Sequence, residues 1–279
     1  MKTKGFLTML VAGLLIVAAT RSGSAMILAT NNFDTDPNWT GNGNTSGGAN
    51  YGFSVGTSNA GGSPGEVGGL FTRRASENHY ADIFMSGVGN ENFTYNHPIQ
   101  ASGKVVLTSQ SGFNNNILLG HRSSGSDFSF MGLMVAESSA THNRYFALIQ
   151  ADDGTAYLGG PLLVPVGSIE DFSYSYDPLG GVNGLGRLTL SIIGATTGTL
   201  TVDVSAAMRA GDPVFLNAFG IGTPNTFSDD ANNQANVFFD NAIYSIPEPA
   251  SVWLLGLAAA ILLRRRRACP ASSCRPGTA

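Results

Sequence analysis

The sequence predicts an all-β chain folded as a two-sheet antiparallel β-sandwich, and three observations carry that reading. Short segments alternate apolar and polar residues with period two, which turns one face of a strand inward and the other to water. Clusters rich in Gly, Asn, Ser and Asp, such as Asn42–Asn50, Gly61–Gly65 and Asp152–Gly154, separate these segments at short intervals. Between the two ends of the chain, helical patterning is confined to one or two turns around Ser205–Ala210, and a short C-terminal helix is expected over Val252–Leu263. No internal repeat of fixed period is present, which argues against a solenoid or a propeller.

A first strand is expected ahead of Asp34. The further candidates, in order, are Tyr51–Val55, Leu70–Arg73, Tyr80–Met85, Gly103–Ser109, Asn116–His121, Phe128–Val135 and Arg144–Gln150. Phe172–Tyr176 follows, with three aromatic residues on one face. Arg187–Ile192 sets Leu188, Leu190 and Ile192 inward, and Gly194–Thr197 reads as the turn of a hairpin into Gly198–Val204. Val214–Ile221 and Asn236–Tyr244 complete the series. About twelve short strands of this kind suit two stacked antiparallel sheets.

Both ends of the chain are set apart from this pattern. Lys2 and Lys4 precede an apolar segment, Phe6–Ala19, and small residues follow at Ser22–Ala25. That order is expected of a secretory signal peptide cut after Ala25. At the other end stand Pro247, Glu248 and Pro249, then an apolar run from Val252 to Leu263, then Arg264, Arg265, Arg266 and Arg267. The two prolines prevent a regular helix from starting at the carboxylate. At ~1.5 Å per residue the run reaches ~18 Å, short of the ~30 Å of a hydrocarbon core. It suits a transient membrane anchor, with the arginines retained in the cytoplasm.

This tail, Ile246–Arg267, resembles the PEP-CTERM sorting signal of bacterial exported proteins. The resemblance implies an exosortase-type membrane protease as partner, cleavage near Pro247-Glu248-Pro249, brief residence in the inner membrane, and delivery to the cell surface or an extracellular polysaccharide matrix. Such tails end at the basic cluster. Here Ala268–Ala279 continues as an extension expected to be disordered, and it holds both cysteines, Cys269 and Cys274.

Residues 26–245 form the expected ectodomain. Seven Lys and Arg stand there against eighteen Asp and Glu, a net charge of −11 against −4 for the whole chain. So acidic a surface does not bind nucleic acid by phosphate neutralisation. The region has no cysteine, so no disulfide framework holds it and the core must. Its length suffices for one sizeable core. Asp171–Val204, with Tyr-Asp-Pro after an aromatic strand and a hairpin ending Gly-Thr-Leu-Thr-Val, is similar to part of a concanavalin A-like sandwich, and Val237–Tyr244 fits the same class. A carbohydrate-binding jelly roll describes the pattern nearly as well.

That resemblance raises glycan hydrolysis, which needs two carboxyl groups at a defined separation. The resembling glucanases alternate them on one strand, and no such string occurs here. Glu77 and Asp82 are five apart, on opposite faces of a continuous strand. Gly61-Gly62-Ser63-Pro64-Gly65 has the spacing of a hydrolase elbow but lacks a flanking strand and helix. His79, His97, His121 and His142 form no zinc-type pair and are expected at the surface or at strand ends. No catalytic residue is therefore assigned. A structural calcium is the ion to expect, held by Asp34 and Asp36 after the first strand and by Asp240 in the last. Trp39, in a Gly- and Asn-rich loop, is the expected exposed ring for a sugar, with Tyr51, Tyr80, Tyr95 and Tyr145 as further candidates. The expected role is a non-catalytic structural or glycan-binding component of an extracellular polysaccharide layer, the alternative being a secreted glycan-cleaving enzyme.

Overall fold

A computed structural model describes residues 26–247 except 75, 85–91, 113–114, 126–127, 212 and 225–229. The expected signal peptide, the residues from Glu248 through the arginine cluster, and the tail to Ala279 lie outside the described residues. The described residues form two antiparallel sheets, as the alternation predicts. No helix among them is long and apolar enough to cross a membrane.

The eight-stranded sheet contains β1 (Met26–Asn31), β3 (Asn50–Ser54), β4 (Glu66–Arg73), β6 (Ile99–Ser111), β11 (Glu170–Asp177), β12 (Arg187–Ile193), β13 (Gly198–Asp203) and β15 (Asp230–Pro247). Its order is β13-β12-β11-β6-β15-β4-β3, and β1 adds to β15. The seven-stranded sheet contains β2 (Thr40–Asn42), β5 (Asn78–Ile83), β7 (Asn116–Arg122), β8 (Phe130–Glu137), β9 (His142–Gln150), β10 (Ala156–Pro165) and β14 (Ala218–Thr223), ordered β10-β9-β8-β7-β14-β5-β2. The one α-helix among the described residues, α1 (Ala206–Gly211), falls where the sequence places it, with the Ser205 hydroxyl accepting the Met208 amide at 3.2 Å as its cap.

Strand β11 shows why the period-two reading succeeds. Glu170, Phe172, Tyr174 and Tyr176 are buried, while Asp171, Ser173, Ser175 and Asp177 are exposed. The hairpin from β12 to β13 also forms as expected, with Ser191 opposite Thr199. Three strands lack or outrun the sequence signal. β2 is only three residues long. β10 runs through Gly159-Gly160-Pro161, which reads as a turn; it is an edge strand with a register shift there, and an edge tolerates a missing amide donor. β15 extends well beyond Asn236–Tyr244 at both ends.

The centre of the seven-stranded sheet is buried on both faces. Ile117, Leu119, Met131, Leu133, Tyr145, Ala147 and Ile149 pack towards the other sheet. Their alternates Leu118, Phe130, Met134, Ala136 and Leu148 form a second apolar cluster on the outer face. The Phe130 ring lies over two glycines. A Cβ at Gly120 or Gly132 would stand 3.0 or 3.1 Å from its Cζ.

Trp39 is 9% exposed and belongs to the core, which corrects its expected place in a solvent-facing loop. Asn38 (φ 55°) and Phe33 (φ 54°) adopt left-handed backbone on either side of the turn, and the Asp36 Oδ1 accepts the Asn38 amide at 2.8 Å. The chain is thereby turned inward. The indole meets Phe33 edge-on at 5.3 Å, stacks on Phe239 at 5.9 Å and meets Tyr244 edge-on at 6.1 Å between centroids. Trp39→Ala is expected to cost about 3–5 kcal/mol, the usual range for emptying a buried aromatic site. Urea unfolding of the variant beside the parent measures it, and an unchanged midpoint would place the ring in solvent after all.

Candidate functional site

The residues expected to act on ligands divide into those the fold consumes and those it leaves accessible. Tyr51, Tyr80, Tyr95 and Tyr145 are all buried, like Trp39. Tyr51 stacks on Phe71 at 3.9 Å between centroids. The inter-sheet core takes most of each ring, and Tyr51 and Tyr80 also border the cleft described below.

Of the calcium trio, the fold brings Asp34 near Asp240, while Asp36 is engaged by its own turn. Among the described residues no group of three His, Cys, Asp or Glu side chains stands together as a metal site. Asp36 is used by its own turn and lies 3.5 Å from the Tyr80 hydroxyl. Asp34 accepts the Asn32 amide group at 2.5 Å. Asp240 does lie in the last strand but is buried, and its carboxylate caps the Asn241 amide at 2.6 Å. Burial, and after it the nearby Glu66 and Asp34 charges, raise its pKa despite the Asn241 hydrogen bond.

Several of the other carboxylates, and His121, have structural partners. Asp82 Oδ2 accepts the Tyr244 hydroxyl at 2.5 Å. Glu77 pairs with the buried Arg122. Asp153 caps Thr155 in a turn. His79 and His121 are buried rather than at the surface, and each stands one residue in from a strand end, the other expected position. Nε2 of His121 faces the Ser245 carbonyl at 2.8 Å and Nδ1 faces the Tyr174 hydroxyl at 2.6 Å. A carbonyl can only accept, so Nε2 carries the hydrogen and Nδ1 accepts from Tyr174. Burial lowers the His121 pKa to about 4, which matches a neutral ring.

A cleft of about 530 Å³ opens at the β3 edge of the sandwich. Backbone at Gly52, Gly68 and Gly69 forms part of its lining, and the half-buried rings of Phe53 and Phe238 line it with Asp36, Asn44, Asn50 and Tyr80. Gly69 has φ +135°, and a Cβ there would stand 2.4 Å from the Asn50 carbonyl, so only glycine lets β3 approach this closely. Asn44 is fixed by donating to the Tyr51 carbonyl at 2.6 Å. Apolar ring edges beside amide and carboxylate groups suit a ligand that is polar at its rim and apolar on its face. The sequence analysis points to Asp36, Tyr51 and Tyr80 but misses both phenylalanines. Phe238 sits at an outward position of an apolar run, Val237–Phe239, where alternation alone does not separate it from the core.

One buried carboxyl group has no such use. Glu137 is fully buried, and its Oε1 has no hydrogen-bond partner among the described residues. Burial raises its pKa from 4.5 to about 7, opposed by the Asn115 amide at 3.3 Å from Oε2. The folded pKa lies above the unfolded one. The stability this group supplies in its protonated form is therefore complete below pH 4.5 and lost as pH rises to about 7. Glu137→Gln, which cannot ionise, is expected to stabilise the fold at pH 8 by up to about 3 kcal/mol, the cost of burying the charged form at ~1.4 kcal/mol per unit of pKa shift. The gain should vanish near pH 4. Melting temperatures across that range test it, and a gain independent of pH would contradict the assignment.

The C-terminal end of the fold meets the sorting segment directly. Ser245 Oγ accepts the Gln100 amide at 3.0 Å, and Pro247, the last described residue, is the cross-strand partner of Met26. The model of the PEP-CTERM protein-sorting motif matches residues 245–267, so the motif begins inside strand β15. No curated protein matches the chain. Among solved structures it is similar to an alginate lyase from Klebsiella pneumoniae, with 11% identity over 71% of this chain and 84% of that one and a TM-score of 0.43. The Lotus tetragonolobus seed lectin shares 11% identity over 80% and 99% of the two chains, with a TM-score of 0.41. A protein of unknown function from Shewanella oneidensis MR-1 shares 11% over 86% and 95%, with a TM-score of 0.44. Likeness at this level brings neither ligand nor reaction to the present chain. The class is that of an exported β-sandwich protein. Its particular mark is the PEP-CTERM motif, which implies sorting at the membrane and processing by an exosortase.

Proposed function

We propose that this protein is a non-catalytic glycan-binding component of the cell surface or extracellular polysaccharide matrix, released there from its transient anchor. The observation that carries the reading is the cleft at the β3 edge, with Phe53 and Phe238 beside Asn44, Asn50 and Asp36. Ring faces stack on the apolar faces of sugars, and amide and carboxylate groups bond their hydroxyls. The carboxylate in the cleft and the acidic ectodomain favour a neutral saccharide over a polyanion. The partnering of Asp82 with Tyr244 and of Glu77 with Arg122 weighs against a hydrolytic pair in that segment.

Affinity electrophoresis of the mature protein through gels of neutral and anionic polysaccharides tests the proposal. Retardation by a neutral glycan is expected. Asn44→Ala and Phe238→Ala should each weaken it about 5- to 30-fold, the equivalent of one to two kcal/mol. Thr199→Ala, on the opposite wing of the same sheet, should leave it unchanged. Release of reducing ends would mean cleavage and overturn the non-catalytic reading. The sorting role has its own test: deletion of 247–267 should prevent delivery to the surface or matrix, and fractionation that finds the protein there regardless would refute it.

A further inference from the structure

The first and last strands meet where the sorting motif starts. Six pairs run from Asn31 opposite Ala242 to Met26 opposite Pro247. On the other side of β15, the ladder to β6 ends at Tyr244 opposite Ala101. Ser245 is still held there through its hydroxyl on Gln100 and its carbonyl on His121. Ile246 and Pro247 are paired with β1 alone among the described residues. Strand β1 is lightly held: β15 is its one strand partner among the described residues, and Ile27 and Leu28 are 38% and 46% exposed. Such a strand opens at low cost.

A protease commonly binds its substrate as an added strand, using the backbone groups along one edge. Here β1 occupies an edge of the residues just before Glu248-Pro249. Only four residues, 248–251, separate the end of this ladder from the apolar run that begins at Val252. Fully extended they span ~13–14 Å at ~3.3–3.6 Å each, which keeps the folded sandwich close against the membrane. Peeling β1 from β15 bares the edge and allows the last strand to lengthen that tether.

We propose that β1 is a latch over the sorting cut site: β1 and the membrane protease compete for the same edge of Ser245–Pro247, and cleavage acts on molecules in which β1 has opened. The proposal rests on processing at the PEP-CTERM motif. It assigns the mature N-terminal strand a regulatory role in removal of the C-terminus.

The test uses the full chain in its native host, with Cys269→Ser and Cys274→Ser so that no other thiol remains. Ile27→Cys with Ile246→Cys then places a pair at directly opposed positions, whose Cα separation of ~4.5–5.5 Å lies within the range of a disulfide. Leu28→Pro, in a separate chain, removes a ladder donor. Mass analysis of the membrane and released fractions gives the ratio of uncut to cut chain over time. The expected result is that the oxidised pair accumulates several-fold as uncut chain and is cut at the parental rate after reduction, while Leu28→Pro is cut faster. Should Leu28→Pro fail to fold, the oxidised and reduced forms decide alone, since they share one sequence. Equal cutting of oxidised and reduced forms would overturn the latch and leave the sorting reading intact. A parent chain that never loses its C-terminal segment would overturn both.

Discussion

The constraint on which this structure depends is the pairing of β15. It lies between β6 on one side and β4, then β1, on the other, so that the last strand of the chain is an interior strand of its sheet. Ala235, Val237, Phe239, Ala242 and Tyr244 from this strand are all buried. The change of neighbour from β4 to β1 happens at Asp240 and Asn241, where the register shifts and Asn241 takes φ 54°. The bulge brings the Asn241 amide onto the Asp240 carboxylate.

The same strand connects core to surface. Phe239 and Tyr244 receive Trp39, Tyr244 binds Asp82, and the Ser245 carbonyl accepts the His121 ring. The match to the sorting motif begins at this same Ser245. Every one of these links is non-local, joining residues more than a hundred positions apart. In a cysteine-free exported domain such links take the place of a disulfide framework.

Much of the fold was legible in the sequence. The three aromatics of Phe172–Tyr176, the hairpin at Gly194–Thr197 and the short helix at Ser205–Ala210 formed where alternation and turn chemistry put them. The site was less legible. Trp39 sits among Asn, Thr and Gly, a local setting that reads as solvent, yet two left-handed residues turn it inward. Glycine at 52, 68 and 69 reads as weak strand, and it becomes the lining of a cleft only because β3 and β4 meet there. Composition reports what a residue is beside in the chain, and a cleft is made by residues distant in it.

The sequence by itself determined the address and the class. Pro247-Glu248-Pro249, an apolar run too short for a comfortable span and four arginines are local features whose physics acts on an extended chain, and period-two alternation is equally local. The tertiary structure decided which aromatics are core and which line a cleft, which carboxylates are partnered, and that Met26 lies beside Pro247. Those outcomes depend on register between strands far apart in sequence. Register is set by how whole faces pack, which no single segment encodes.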